Sequence, residues 1–122
     1  MVDNFEFKDK YNFYDLVEII RLLRSPGGCP WDIEQTHESI RKSLIEETYE
    51  TIEAINKKSV PMLREELGDV LMQVIFHAQI ETEKGNFTID DVADSQPRDP
   101  VSRGISVYSG KQNGNQKDPR ET

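Results

Sequence analysis

Apolar residues early in the chain recur at helical spacing: Phe13, Leu16, Val17, Ile20 and Leu23 share one face of a segment predicted as a helix from about Phe13 to Arg24. Asn12 stands at the N-cap, with Asp15 at the third position to complete a capping box. Ser25-Pro26-Gly27-Gly28 stops this helix. Cys29 to Gln35, with Pro30 and Trp31, reads as an irregular loop with room for a short helical turn. A second helix is predicted from Thr36, a good N-cap, to about Lys57, with Ile40, Leu44, Ile45, Thr48, Ile52 and Ile55 on its buried side. Lys57, Lys58 and Ser59 form the break, and the two lysines suit a helix C-terminus. Pro61, tolerated in a first turn, opens a third helix carrying Leu63, Leu67, Val70, Leu71, Val74, Ile75 and Ala78, and Lys84-Gly85 ends it. The short connection makes the second and third helices an antiparallel hairpin.

Thr88-Ile-Asp-Asp91 looks like another helix start, with acids in its first turn, but no helix is expected to follow. From Ser95 to Thr122 the chain holds Pro97, Pro100, Gly104, Gly110, Gly114 and Pro119 among polar residues, so this stretch is expected to be disordered or loosely attached. The pattern therefore predicts an all-α protein: a helical domain over residues 1–94, built on a hairpin with flanking helices, and a polar tail over 95–122. A chain of 122 residues buries only around two-thirds of its unfolded surface, and a core shared with a second copy would help it.

Charge narrows the partners. Fifteen basic and 23 acidic residues leave a net charge of −8, which argues against attraction of nucleic acid or an anionic membrane to the surface as a whole. An anionic substrate would need a metal or local basic residues as intermediary. The single cysteine, Cys29, excludes an intrachain disulfide and fits a reducing compartment. Asp3, Glu6, Lys8, Asp9 and Lys10 leave no apolar run for a signal peptide, and no segment approaches a membrane span, so a cytoplasmic protein is expected.

The chemistry lies in the acids. Glu46, Glu47 and Glu50 on the second helix are answered by Glu66 and Asp69 on the third. Residues three apart are neighbours on a helix face, so Glu47/Glu50 and Glu66/Asp69 each make a two-carboxylate edge. If the edges face each other, four negative charges share one cleft, and such a cluster calls for a cation. Oxygen ligands suit Mg²⁺ or Mn²⁺ better than zinc. The bland alternative is a solvated acidic face. Arg41, Lys42 and Arg64, one to two turns from the acids, are either phosphate partners or ordinary ion pairs with Glu38 or Glu65. His37 and His77 are too isolated for a zinc site, and His77 is expected to be packed or at an interface.

The run Leu23-Arg-Ser-Pro-Gly-Gly-Cys-Pro-Trp-Asp-Ile-Glu-Gln-Thr-His-Glu-Ser-Ile40, then Leu44-Ile-Glu-Glu-Thr-Tyr-Glu50, Leu63-Arg-Glu-Glu-Leu-Gly-Asp69 and Gln73-Val-Ile-Phe-His-Ala-Gln79, resembles MazG-type nucleoside triphosphate pyrophosphohydrolases. The resemblance runs from about Asn12 to Asp94. It implies a four-helix-bundle-like core completed by homodimerisation, and hydrolysis of nucleoside triphosphates to monophosphate and pyrophosphate. It places the metal ligands at Glu47, Glu50, Glu66 and Asp69, and the nucleotide pocket near Trp31, Asp32, Gln35 and His37. Glu46 matches a position associated with the site. Family members usually continue past the Asp-Asp-Val segment into a further helix, whereas here Ala93-Asp-Ser95 leads into Gln96-Pro-Arg-Asp-Pro100.

With Mg²⁺ in the cluster, water would attack the α-phosphorus and expel pyrophosphate, Glu46 or Glu47 orienting or deprotonating it. Cys29 is expected to be structural. Trp31 would either stack on a base or pin its loop to the core. Two other readings stand beside this one. A di-iron bundle needs Glu-x-x-His from two helices, and only Glu34-x-x-His37 has that spacing, in a loop. A non-catalytic helical dimerisation module would release no pyrophosphate.

Overall fold

The computed structural model describes residues 7–96. They form five helices and no strand: α1 (Phe13–Leu23), α2 (Pro30–Glu34), α3 (Arg41–Asn56), α4 (Val60–Glu83) and α5 (Ile89–Asp94). The chain divides into two units, Met1–Thr88 and Ile89–Thr122. In the first, α4 is the central element and packs against both α1 and α3.

The capping box of α1 is as predicted. Asp15 N–H donates to Asn12 Oδ1 at 2.9 Å and Asn12 N–H donates to Asp15 Oδ2 at 2.8 Å. Beyond Leu23 the chain doubles back so tightly that a Cβ on Gly28 would stand 2.4 Å from the carbonyl oxygens of both Leu22 and Leu23. Only glycine fits there. Arg24, nearly buried, then ties three elements together. Its Nη1 donates to the carbonyls of Asp32 (2.5 Å) and Gln35 (3.0 Å), and its Nε and Nη2 donate to the Glu83 carboxylate at 2.8 and 3.0 Å. These charge-assisted bonds fix α2 against the ends of α1 and α4.

The second predicted helix begins later than expected, at Arg41 rather than Thr36. Thr36 and Ser39 exchange side-chain bonds, Ser39 N–H to Thr36 Oγ1 at 3.1 Å and Thr36 N–H to Ser39 Oγ at 2.8 Å, and close a separate turn before α3. Hydroxyls that satisfy backbone groups locally compete with helix propagation. At the other end, Lys58 takes a left-handed conformation (φ 54°). Lys58 N–H bonds Ile55 O at 3.0 Å and Ser59 N–H bonds Ala54 O at 3.1 Å, the Schellman pattern with lysine where glycine is usual. Ser59 caps α4 by accepting from Met62 N–H at 3.3 Å. Gly85 (φ 79°) ends α4 with the same pair of bonds.

The buried face of α3 differs from the predicted one. Ile40, just before the helix, and Ala54 are buried, and Leu44, Glu47 and Thr51 are half-buried, whereas Ile45, Thr48, Ile52 and Ile55 are exposed. Ser43, Glu47, Thr51 and Ala54 are small or polar and allow α3 to lie close to α4, so the seam of the hairpin carries the carboxylates and the β-branched stripe turns outward. The core is correspondingly thin: among the described residues Ile20, Ile40, Ala54, Ile75, Ala78 and Ile80 are the buried apolar ones, and of these only Ile75 is a large side chain fully removed from solvent.

A short helix does follow Thr88, contrary to expectation: α5 carries Asp90 and Asp91 in its first turn, where acids complement the helix dipole. The expectation of a disordered tail covers residues 95–122, of which 97–122 lie outside the described residues.

Candidate active site

The hairpin's turn explains which acids meet. Glu47 and Asp69 are each eleven residues from Lys58, and Glu50 and Glu66 are each eight, so antiparallel pairing about that turn sets the two edges opposite one another. Glu47, Glu66 and Asp69 each offer a carboxylate oxygen, all within 4.8 Å of one another. Glu50, exposed, lies outside this group of three but close enough to act on both Glu47 and Glu66. Oε1 of Glu47 and Oε1 of Glu66 are buried and have no hydrogen-bond partner among the described residues.

Burial first, and then the charges of Asp69, Glu50 and Glu66, push the Glu47 carboxyl up to about 7. Glu66 is raised for the same reasons, burial first and Glu50 next. A solvated acidic face would keep its oxygens in water. Here two are withheld from it, and the site fits a hard divalent cation. The folded protein holds a proton on Glu47 that the unfolded chain has released, so without divalent ions stability should fall as pH rises from about 4.5 to 7 and level off above. Melting curves in chelator at pH 5 and pH 8 check this, and an apo protein more stable at pH 8 would contradict it. Divalent-ion affinity should rise over the same interval, because ligation requires the carboxylate.

The other predicted residues divide. Glu46 is exposed, its carboxylate lies 3.9 Å from Lys42 Nζ, and it is not one of the three clustered acids. Arg41, Lys42 and Arg64 are exposed, and neither Arg41 nor Arg64 forms an ion pair among the described residues, so the pairs expected with Glu38 and Glu65 are not made. Asp32 and Gln35 line a cavity of about 520 Å³ together with Ser39, Ser43, Gln73 and Phe76. Trp31 is 76% exposed and pins nothing to the core.

His37 is not isolated, contrary to expectation. Its Nδ1 lies 2.7 Å from Nδ1 of His77, the rings stack at 5.0 Å, and its Nε2 contacts the Glu81 carboxylate. Burial, then His37, lowers the His77 pKa. This network joins the turn before α3 to α4, and His77 is packed as expected. Sequence reasoning missed Arg24, which holds α2 in place, and Ser43 and Gln73. Both of the latter stand one helical turn from a cluster carboxylate, Ser43 before Glu47 and Gln73 after Asp69, and that i, i+4 spacing was the available signal.

A family model described as the MazG nucleotide pyrophosphohydrolase domain matches residues 35–98. The chain is 62% identical over 80 residues to the nucleoside triphosphate pyrophosphohydrolase/pyrophosphatase MazG of Thermotoga maritima, covering 66% of this chain and 31% of that one. It is 48% identical over 99 residues to the nucleoside triphosphate pyrophosphohydrolase of Mycobacterium tuberculosis (80% of this chain, 30% of that one). With the Escherichia coli K12 protein of the same name it shares 47% identity over 78 residues (63% and 30%). The chain thus spans about a third of the length of these curated relatives.

Proposed function

This chain belongs to the MazG family of nucleotide pyrophosphohydrolase domains, and on that premise we propose that it hydrolyses nucleoside triphosphates to nucleoside monophosphate and pyrophosphate, with Mg²⁺, or Mn²⁺ in its place. The observation that carries this reading is the convergence of Glu47, Glu66 and Asp69, two of them with buried unpartnered oxygens, one helical turn from a cavity of about 520 Å³. Glu47, Glu66 and Asp69 would hold the ion, with Glu50 as a fourth carboxylate beside them. A bound divalent ion supplies positive charge to the polyphosphate oxygens and acidifies water near neutral pH.

The chain's own residues do the rest. A water oxygen forms a bond to the α-phosphorus, the bond to the α–β bridging oxygen breaks, and pyrophosphate departs with that oxygen. Glu47 takes the water's proton. Its position in the cluster, beside the site of the ion, favours it over Glu46 as the group that orients the water and takes its proton. Arg41 and Arg64, exposed and without an ion pair among the described residues, meet the outer phosphates, as does Lys42. Asp32 and Gln35 shape the nucleoside cavity, His37 braces the turn behind it, and exposed Trp31 stacks on the base.

A second copy of the chain completes the core. Ile45, Tyr49, Ile52 and Ile55 follow one another along the exposed side of α3, and Val60, Leu67 and Val74 are exposed on α4. Such apolar surface, beside so thin a core, is what an interface covers. No helix among the described residues is long and apolar enough to cross a membrane. A cytoplasmic setting, rich in nucleotides and reducing toward Cys29, suits the reading.

The test is pyrophosphate release. Purified protein with Mg²⁺ should release pyrophosphate, not orthophosphate, from at least one of the common ribo- or deoxyribonucleoside triphosphates. Release from none would favour the dimerisation module, which the same exposed apolar residues would equally serve.

A further inference from the structure

We propose that Gln73 is a specificity residue whose carboxamide hydrogen-bonds the edge of the nucleobase held in the cavity beside the carboxylates. This rests on the nucleotide reading above and adds to it a determinant of which base is taken.

The cavity adjoins the acids on both helices. Ser43 precedes Glu47 and Gln73 follows Asp69 by four residues, about 6 Å along each helix, and both line it. A triphosphate gripped at Glu47, Glu66 and Asp69 therefore extends its sugar and base past Ser43 and Gln73 toward Phe76.

Two glutamines line this space, and they differ. Gln35 is committed to the fold: its Nε2 donates to the Trp31 carbonyl at 2.9 Å and its Oε1 accepts from Ser39 Oγ at 2.6 Å. Gln73 Oε1 is buried and has no partner among the described residues. A buried acceptor without a donor is costly, and a ligand that supplies the donor recovers the loss. A carboxamide also carries donors beside its acceptor, the pairing found on the edges of nucleobases. A site built to hydrogen-bond a polar group discriminates strongly against ligands that lack it.

The experiment compares wild type with Gln73→Met, which keeps the side-chain length and removes the hydrogen bonds, and with Gln73→Glu, which keeps the acceptor and removes the donors. Calorimetric titration uses AMP, GMP, CMP, UMP and dTMP, so no turnover is needed. Wild type should prefer one base; Gln73→Met should weaken that monophosphate about tenfold, leave the others within about twofold, and flatten the preference. The ligand-free variant should melt at or above the wild-type temperature, because it loses an unpartnered polar atom. Gln73→Glu should shift the preference toward bases that present a donor.

An unchanged base preference in both variants, no monophosphate bound by wild type, or a melting temperature many degrees lower in Gln73→Met would each overturn the assignment. A protein that releases pyrophosphate with the same base profile in wild type and variant loses this inference alone. One that discriminates monophosphates through Gln73 yet releases no pyrophosphate loses the hydrolase reading alone.

Discussion

Glu47→Gln is expected to lower pyrophosphate release by about 10²–10⁴-fold, the range for loss of a general base, with the helices intact. The substitution keeps shape and removes one charge from a cluster in which Asp69, Glu50 and Glu66 already act against it. Without divalent ions the variant should therefore be more stable than wild type at pH 8, where wild-type Glu47 is forced to ionise, and close to it at pH 5. Gain of apo stability together with loss of turnover is the signature of a functional carboxylate, since a structural one would lose both. Glu53→Gln, which touches only the exposed Lys57–Glu53 pair at 3.1 Å, serves as the control. Loss of turnover in Glu46→Gln, with Glu47→Gln active, would move the proton-transfer role to Glu46.

Ile52→Asp is expected to convert the proposed dimer into a monomer. Ile52 lies on the exposed side of α3 between Tyr49 and Ile55, away from the seam with α4, so the monomer's own packing should survive the change. Full burial of an exposed isoleucine is worth about 1.5–3 kcal/mol; Ile52 is 47% exposed, so about half of that remains to be gained per copy, and a two-fold interface counts it twice. The dimer dissociation constant should then rise by about 10–10²-fold, before the cost of burying a carboxylate is added. Sedimentation of both proteins across a concentration series reads this directly. An Ile52→Asp dimer as tight as wild type would show that this face is not the interface. The apolar residues of α3 would then need another explanation.

The extent to which the site was legible can be traced through single residues. Glu47, Glu50, Glu66 and Asp69 were legible as two edges because i, i+3 spacing is a property of the helix itself, and their approach follows from the position of the turn at Lys58. The chemistry of the cavity was less so. Gln35 and Gln73 are the same residue type on neighbouring elements, and only their surroundings separate a glutamine held by Trp31 and Ser39 from one left without a partner. His37 and His77 stand forty residues apart, and nothing local says that their rings stack.

Local interactions, which a sequence displays openly, determined the helices: the Asn12/Asp15 capping box, Ser59 before Pro61, Gly85 after α4, and the turn that pairs the two acidic edges. Tertiary structure decided which side of α3 is inner. Apolar periodicity favoured Ile45, Ile52 and Ile55, but close approach to α4 favoured the smaller Ser43, Thr51 and Ala54 and carried Glu47 inward with them. The physical reason is that periodicity marks a face that must be covered without saying by what. Within one chain the seam takes the residues that allow close contact, and the remaining apolar stripe is left for whatever packs on it from outside.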